Sequence, residues 1–393
     1  MNPIKTGLDM LISDGHPWIR NARLGLLCNP ASVDAQFRHA RDRLGLRFPG
    51  QLKALYSPQH GFHAEKQDNM IESDHMTDTV SGLPVYSLYG ETRIPTPQML
   101  TPIDVLLVDL QDVGTRVYTF ITTLAYCLET AAATGTRVIV LDRPNPINGR
   151  DVEGNVLEPE WQSFVGRFPI PMRHGMTIGE IARLFNTHFA LGANLAVIPM
   201  QGWQREMFFS DTGLPWVAPS PNMPTAATAL VYPGQVIWEG TNISEGRGTS
   251  LPFEIFGAPF LQTEPILEFI DGPEVPGAIL RACLFEPTSG KHAGRACNGF
   301  QIHVTNPDRY RPYITSLELL QAIVHHHKND FQWKSDPYEY EFEKPAIDLI
   351  LGSHRLRQEI IAMTPVASLA SSWHDELARF TALRRSYLLY ERG

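Results

Sequence analysis

Asp104–Leu110, DVLLVDL, and Arg137–Asp142, RVIVLD, decide the fold of this chain. Each is a short, nearly continuous apolar run, the pattern of a strand buried on both faces of a parallel sheet rather than one with a wet side. Between them Val117–Ala133 carries apolar residues at helical spacing, so the pair reads as strand, helix, strand. Arg23–Cys28 (RLGLLC) and Leu52–Ser57 (LKALYS) supply two earlier runs of the same kind, and Leu195–Pro199 a later one. Thr177 and Glu180 make a T-x-x-E capping box ahead of the helical segment IARLFNTHF. The expectation is an α/β domain, Rossmann-like and doubly wound, over residues 1–222, with strands ending near Cys28, Ser57, Asp109 and Asp142.

Past the proline-punctuated passage SPNMPT (Ser220–Thr225) the pattern loosens. Helices are expected at Pro265–Ile270, Leu317–His327, Ala346–Leu351 and from about Trp373 to Tyr390, and a strand at Gly299–Thr305. Residues 223–393 therefore read as a smaller α+β domain.

Bulk properties exclude several functions. At 393 residues the chain is long for one ordinary core. A formal charge of −9 without a basic block argues against a nucleic-acid partner. No apolar run reaches transmembrane length, and MNPIKTGLDMLISDG lacks the apolar region of a secretory signal, so a cytoplasmic location without membrane insertion is expected. Four dispersed cysteines do not make a disulfide scaffold. There is no G-x-G-x-x-G after the first strand, no phosphate-binding G-x-x-x-x-G-K-[ST] and no G-x-S-x-G. The adjacent His325, His326 and His327 point in different directions on a helix and cannot easily share one metal ion.

Candidate site residues fall into three groups. In open parallel sheets ligands collect beyond the carboxyl ends of the strands, which singles out Asp109, Gln111, Asp112 and Arg116 after one strand and Asp142 and Arg143 after the next. Ser57–His63, SPQHGFH, places Gln59 and His60 after the second strand, and Arg173 and His174 form a donor-rich loop before the capped helix. The third group is Leu230–Thr249, LVYPGQVIWEGTNISEGRGT, with Tyr232, Glu239, Asn242, Glu245 and Arg247 set among glycines and little to build a core. Glu239 and Glu245 are the nearest approach to a carboxylate pair for acid/base work on a sugar, with Glu245 the preferred acid/base and His60 a proton relay or sugar-positioning group.

Long, irregular motifs then point to a family. VYSLYGETRIPTPQML (Val85–Leu100), VDLQDVGTRVYTF (Val108–Phe120), VLDRPNPINGRDVEG (Val140–Gly154), IPMRHGMTIGE (Ile170–Glu180), SPNMPT with Asn222, YPG (Tyr232–Gly234) and EGTNISEGRGTSLPFE (Glu239–Glu254) span nearly the whole chain. With these the sequence resembles the DUF1343 family, the exo-β-N-acetylmuramidases of the NamZ type. The resemblance implies hydrolysis of a non-reducing terminal N-acetylmuramic acid (MurNAc) from peptidoglycan fragments such as MurNAc–GlcNAc or muropeptides, in murein turnover and recycling, with the active site in the cleft between the two domains and neither a metal nor an organic cofactor. It also implies that Arg116, Arg143, Arg173 or Arg247 pairs with the lactyl carboxylate distinguishing muramic acid from glucosamine, while Asp109 and Asp112 orient or polarise the substrate.

One position departs from the family pattern. Where the family has SPEHG, this chain has SPQHG, and Gln59 stands at the glutamate that is a candidate acid. An amide cannot donate a proton as a carboxylic acid does. The acid role then belongs elsewhere, to Glu239 or Glu245, or the chain is a non-catalytic binder of muropeptides or sugar acids, or it hydrolyses another acidic or N-acetylated sugar.

Overall fold

The computed structural model describes residues 3–68 and 70–390. The strands are β1 (Leu24–Cys28), β2 (Leu52–Ser57), β3 (Met76–Thr77), β4 (Pro84–Ser87), β5 (Val105–Asp109), β6 (Arg137–Leu141), β7 (Glu153–Val156), β8 (Pro171–Arg173), β9 (Asn194–Ile198), β10 (Ile255–Ala258), β11 (Glu274–Val275), β12 (Ala278–Phe285) and β13 (Cys297–Val304). The α-helices are α1 (Gly7–Asp14), α2 (Ala40–Arg47), α3 (Pro97–Leu100), α4 (Phe120–Thr134), α5 (Ile178–Thr187), α6 (Ala226–Gln235), α7 (Thr263–Phe269), α8 (Pro312–His326), α9 (Ala346–Leu351), α10 (His354–Ile361), α11 (Val366–Ser372) and α12 (His374–Arg384).

Seven strands pair in the order β3-β4-β2-β1-β5-β6-β9, all parallel except the short edge strand β3. Strand direction of travel reverses between β1 and β5, the switch point of a doubly wound sheet. Alternation along the strands explains the continuous apolar runs. Leu24, Leu26, Val105 and Leu107 join Leu8, Leu11 and Leu44 from α1 and α2 in one cluster. Leu27, Leu106, Val108 and Val140 face the other way, into a cluster with Leu124 and Leu128 of α4. The strand ends match the sequence expectation at Cys28, Ser57 and Asp109, and within one residue at Asp142. The predicted capping box is present at α5: the Thr177 hydroxyl accepts from the Glu180 amide and the Glu180 carboxylate from the Thr177 amide.

The second half holds an antiparallel sheet, β10-β13-β12-β11, with α6, α7 and α8 beside it. The chain then returns to the first half: Phe380 of α12 packs with Ile121 and Ile181, and the Tyr390 hydroxyl donates to Asp142 at 2.6 Å.

One expectation needs correction. Leu230–Thr249 is not a core-poor loop. Its first part completes α6, and Val236, Ile237, Trp238 and Ile243 are fully buried. Thr225 caps α6 by accepting from the Thr228 amide. Pro233 lies inside the helix, where it has no N–H to give, and the chain tightens after Gln235 into a 3-10 turn, Val236–Gly240, that carries Glu239. Gly234 allows α6 to lie against α8 because a Cβ there would sit 2.0 Å from the Pro312 carbonyl oxygen.

Candidate active site

A narrow recess lies where the two halves of the chain meet. One wall comes from the end of β2 and the start of α4: Gln59, His60, Tyr118 and Thr119. The other comes from the α6 region, Tyr232, Glu239 and Arg247, and from the turn Tyr338–Glu341, which contributes Tyr338 and Glu339. Asn222 sits at the rim and is shared with a wider, open trough between Gly248–Pro252 and the Arg281–Phe285 part of β12.

The backbone around this recess is unusual. His60 has φ of 75°, Glu339 49° and Tyr340 65°, left-handed conformations that non-glycine residues rarely adopt. Such positions cost energy and concentrate at functional sites. His60 is held there by its own ring: Nδ1 lies 2.7 Å from the Lys66 carbonyl oxygen. A carbonyl only accepts, so Nδ1 carries the proton and Nε2 is left with its lone pair. Burial lowers the His60 pKa to about 4 despite that hydrogen bond, and the ring is neutral at pH 7.

Two glutamates of opposite character share the recess. Burial pushes the Glu239 carboxyl upward, but Arg247 at 2.6 Å, the Tyr338 hydroxyl at 2.5 Å and the charge of Lys291 outweigh it and hold Glu239 below the usual range. Glu339 forms no salt bridge among the described residues, and Arg93 acts on it only through its charge, which lowers its pKa. Its Oε2 accepts from the Tyr89 hydroxyl at 2.6 Å and its Oε1 from the Gln59 amide at 2.9 Å. Burial raises its pKa to about 7; the hydrogen bonds from Tyr89 and Gln59 restrain that rise and the charge of Glu239 adds to it. Gln59 is itself fixed, because Thr119 donates to its Oε1 at 2.6 Å. Thr119 is the N-cap position of α4 yet makes no capping bond, its hydroxyl being turned to Gln59. Two carboxyl groups with pKa values driven apart by their surroundings is the electrostatic pattern of an acid and its partner carboxylate.

Of the residues singled out from sequence, Gln59, His60, Asn222, Tyr232, Glu239 and Arg247 line the recess. Glu245 does not; it stands behind Arg247, whose Nε is 3.3 Å away, and pairs with Lys291 at 2.8 Å. Asn242 is also set back, bonded to the Asp330 carbonyl and the Gln332 amide.

The strand-end cluster is sealed rather than open. Arg143 grips Asp109 with two hydrogen bonds of 2.5 and 3.0 Å, and Asn29 at the switch point donates to Pro219 of the passage that covers it. Gln111 donates to the Asp112 and Pro144 carbonyls. Asp112 accepts from the Gly114 amide, with the His174 ring 3.4 Å away. Asp142 holds Thr177, the Gly179 amide and Tyr390. Arg116 is buried and spends its guanidinium on the carbonyls of Asn155, Ile170, Ile350 and Leu351. Arg173 is buried against Asp151 and the Ile147 carbonyl. The chain thus fills the crevice that a generic open sheet leaves to its ligand, and the recess opens instead at the end of β2. Glu339, its holder Tyr89 and Thr119, which holds Gln59, were not singled out from sequence: an acidic residue in YEYEFEK carries no local sign of burial. Among the described residues no group of His, Cys, Asp and Glu is placed to hold a metal ion.

Residues 24–227 match the family model for the N-terminal part of exo-β-N-acetylmuramidase NamZ, and residues 230–390 the model for its C-terminal part. The chain is 43% identical over 387 residues to the peptidoglycan β-N-acetylmuramidase NamZ of Bacillus subtilis (strain 168), covering 98% of this chain and 91% of that protein. Among solved structures, a DUF1343 family protein of Bacteroides fragilis NCTC 9343 superposes with a TM-score of 0.89 at 33% identity over 99% of both chains. A second from the same organism gives 0.77 at 26% identity over the full length of both. The sequence motifs, the doubly wound sheet and these matches together place the chain in the NamZ (DUF1343) family of exo-β-N-acetylmuramidases.

Proposed function

We propose that the protein is an exo-acting β-N-acetylmuramidase that removes a non-reducing terminal MurNAc from peptidoglycan fragments such as MurNAc–GlcNAc. The observation that carries this reading is a recess lined by two buried carboxyl groups, Glu239 paired with Arg247 and Glu339 held by Gln59 and Tyr89. Glycoside hydrolysis asks for such a pair, an acid for the leaving oxygen and a negative charge near the anomeric carbon. Glu239 supplies the charge. It faces the developing oxocarbenium ion, or holds the N–H of the 2-acetamido group while that group's oxygen approaches C1. His60 Nε2, neutral and lone-pair-bearing, accepts from a sugar hydroxyl. Glu245 keeps Arg247 in place from behind. The positive end of α4, at Thr119 and Phe120 in the recess wall, faces the lactyl carboxylate, while Arg247 is committed to Glu239. The open trough past Asn222 takes the remainder of the fragment. A cytoplasmic step on imported fragments fits a chain in which no described helix is long and apolar enough to cross a membrane.

A second reading, a non-catalytic binder of muropeptides, is favoured by the amide of Gln59. Incubating the purified protein with MurNAc–GlcNAc, and with aryl β-glycosides of MurNAc and of GlcNAc, separates the two. The hydrolase reading expects free MurNAc and little action on the GlcNAc glycoside. Tight binding in calorimetry without any product supports the binder. Neither binding nor cleavage removes MurNAc as the substrate.

A further inference from the structure

We propose that Glu339 is the proton donor of this recess and that Gln59 is its positioning residue, a division of labour that rests on the hydrolase reading. Glu339 reaches the recess from the Tyr338–Glu341 turn of the C-terminal half, and both of its oxygens are pinned by groups of the N-terminal half: Oε1 by Gln59 and Oε2 by Tyr89. The left-handed backbone at Glu339 and Tyr340 turns the side chain inward. Arg93 stacks 3.2 Å from the Tyr340 ring centroid and fastens the turn from outside. Gln59 is neutral at every pH, so Glu339 titrates without a second carboxyl beside it on that flank. Burial is what keeps a proton on Glu339 up to about pH 7, and Glu239 remains ionised below that.

The step balances as follows. The Glu339 proton passes to the glycosidic oxygen as the bond from that oxygen to C1 breaks, and the bonding electron pair stays on the oxygen, which leaves as the hydroxyl of the next sugar. Water then provides OH to C1 and the proton that restores the Glu339 carboxyl. No oxidant, reductant or further reactant enters.

The test compares a poor leaving group with one that needs no proton. Glu339→Gln is expected to lose roughly 10²–10⁴-fold in kcat on MurNAc–GlcNAc, the usual worth of a general acid, while keeping turnover of 2,4-dinitrophenyl β-MurNAc within roughly tenfold. Glu339→Asp, with the carboxyl withdrawn by one methylene, is expected to recover part of the disaccharide activity. In the native protein disaccharide hydrolysis should fall as pH rises through about 7. Gln59→Leu removes a donor to the charged form of Glu339, so it should move that alkaline limb upward. Equal losses on both substrates in Glu339→Gln, or full disaccharide activity in it, overturn the donor assignment alone. An unmoved limb in Gln59→Leu removes Gln59 from its role. A native chain inactive on both glycosides overturns the hydrolase reading and this assignment with it.

Discussion

Glu339→Gln should make the protein more stable, and increasingly so as pH rises. In the fold the Glu339 pKa is about 7 against 4.5 for the free side chain. Between those values the folded state binds more protons at this site than the unfolded state does, so native stability falls with rising pH across that window and the loss is complete above about 7. That rise corresponds to roughly 3 kcal/mol in full, most of which develops between pH 5 and pH 8. Glutamine has the same shape and does not titrate. Its oxygen can accept from Gln59 and its NH2 can donate to the Tyr89 hydroxyl, so the variant keeps the contacts without the charge. Urea unfolding of both proteins at pH 5 and pH 8, followed by tryptophan fluorescence, reads the difference. The stability of the variant relative to native should rise by about 2–3 kcal/mol from the lower pH to the higher. A difference that stays constant within about 0.5 kcal/mol, near the scatter of such measurements, refutes the idea that the recess keeps an acid there at a cost in stability.

Tyr89→Phe removes a hydroxyl that favours the ionised form of Glu339, so the alkaline limb of kcat/KM should move up by about 1–2 units, the equivalent of one charge-assisted hydrogen bond; an unchanged limb breaks the link between that carboxyl and turnover. Arg116→Met strands four carbonyl oxygens that join the first half to the Ile350–Leu351 end of α9, and should cost about 3–5 kcal/mol in unfolding free energy. A loss of MurNAc over GlcNAc selectivity without destabilisation in that variant would instead mark Arg116 as the substrate clamp. Dialysis against EDTA should leave hydrolysis unchanged, and activity restored only by added metal would contradict the reaction derived above.

The sheet was legible because its cause is local. A strand buried on both faces must be apolar at nearly every position, and DVLLVDL and RVIVLD announce that without help from the rest of the chain. The same holds for α5, whose cap and first turn lie within four residues. The site was half legible. Gln59 and His60 follow a strand, and Glu239 and Arg247 stand in a polar stretch, so short-range reasoning reached all four.

The carboxyls at the strand ends misled for a physical reason. Asp109 and Asp142 sit where ligands usually bind, yet Arg143 and Tyr390 neutralise or occupy them, partners 34 and 248 positions away. Glu339 was invisible for the converse reason. Its acidity depends on burial and on Gln59 and Tyr89, 280 and 250 positions distant, and nothing in YEYEFEK records that encounter. The sequence by itself determined the strands, the capped helix and the family motifs, because periodicity and caps act over a few residues. Only the tertiary structure decided which glutamate keeps its proton, because a pKa is set by solvent exclusion and neighbouring charges that long-range packing brings together.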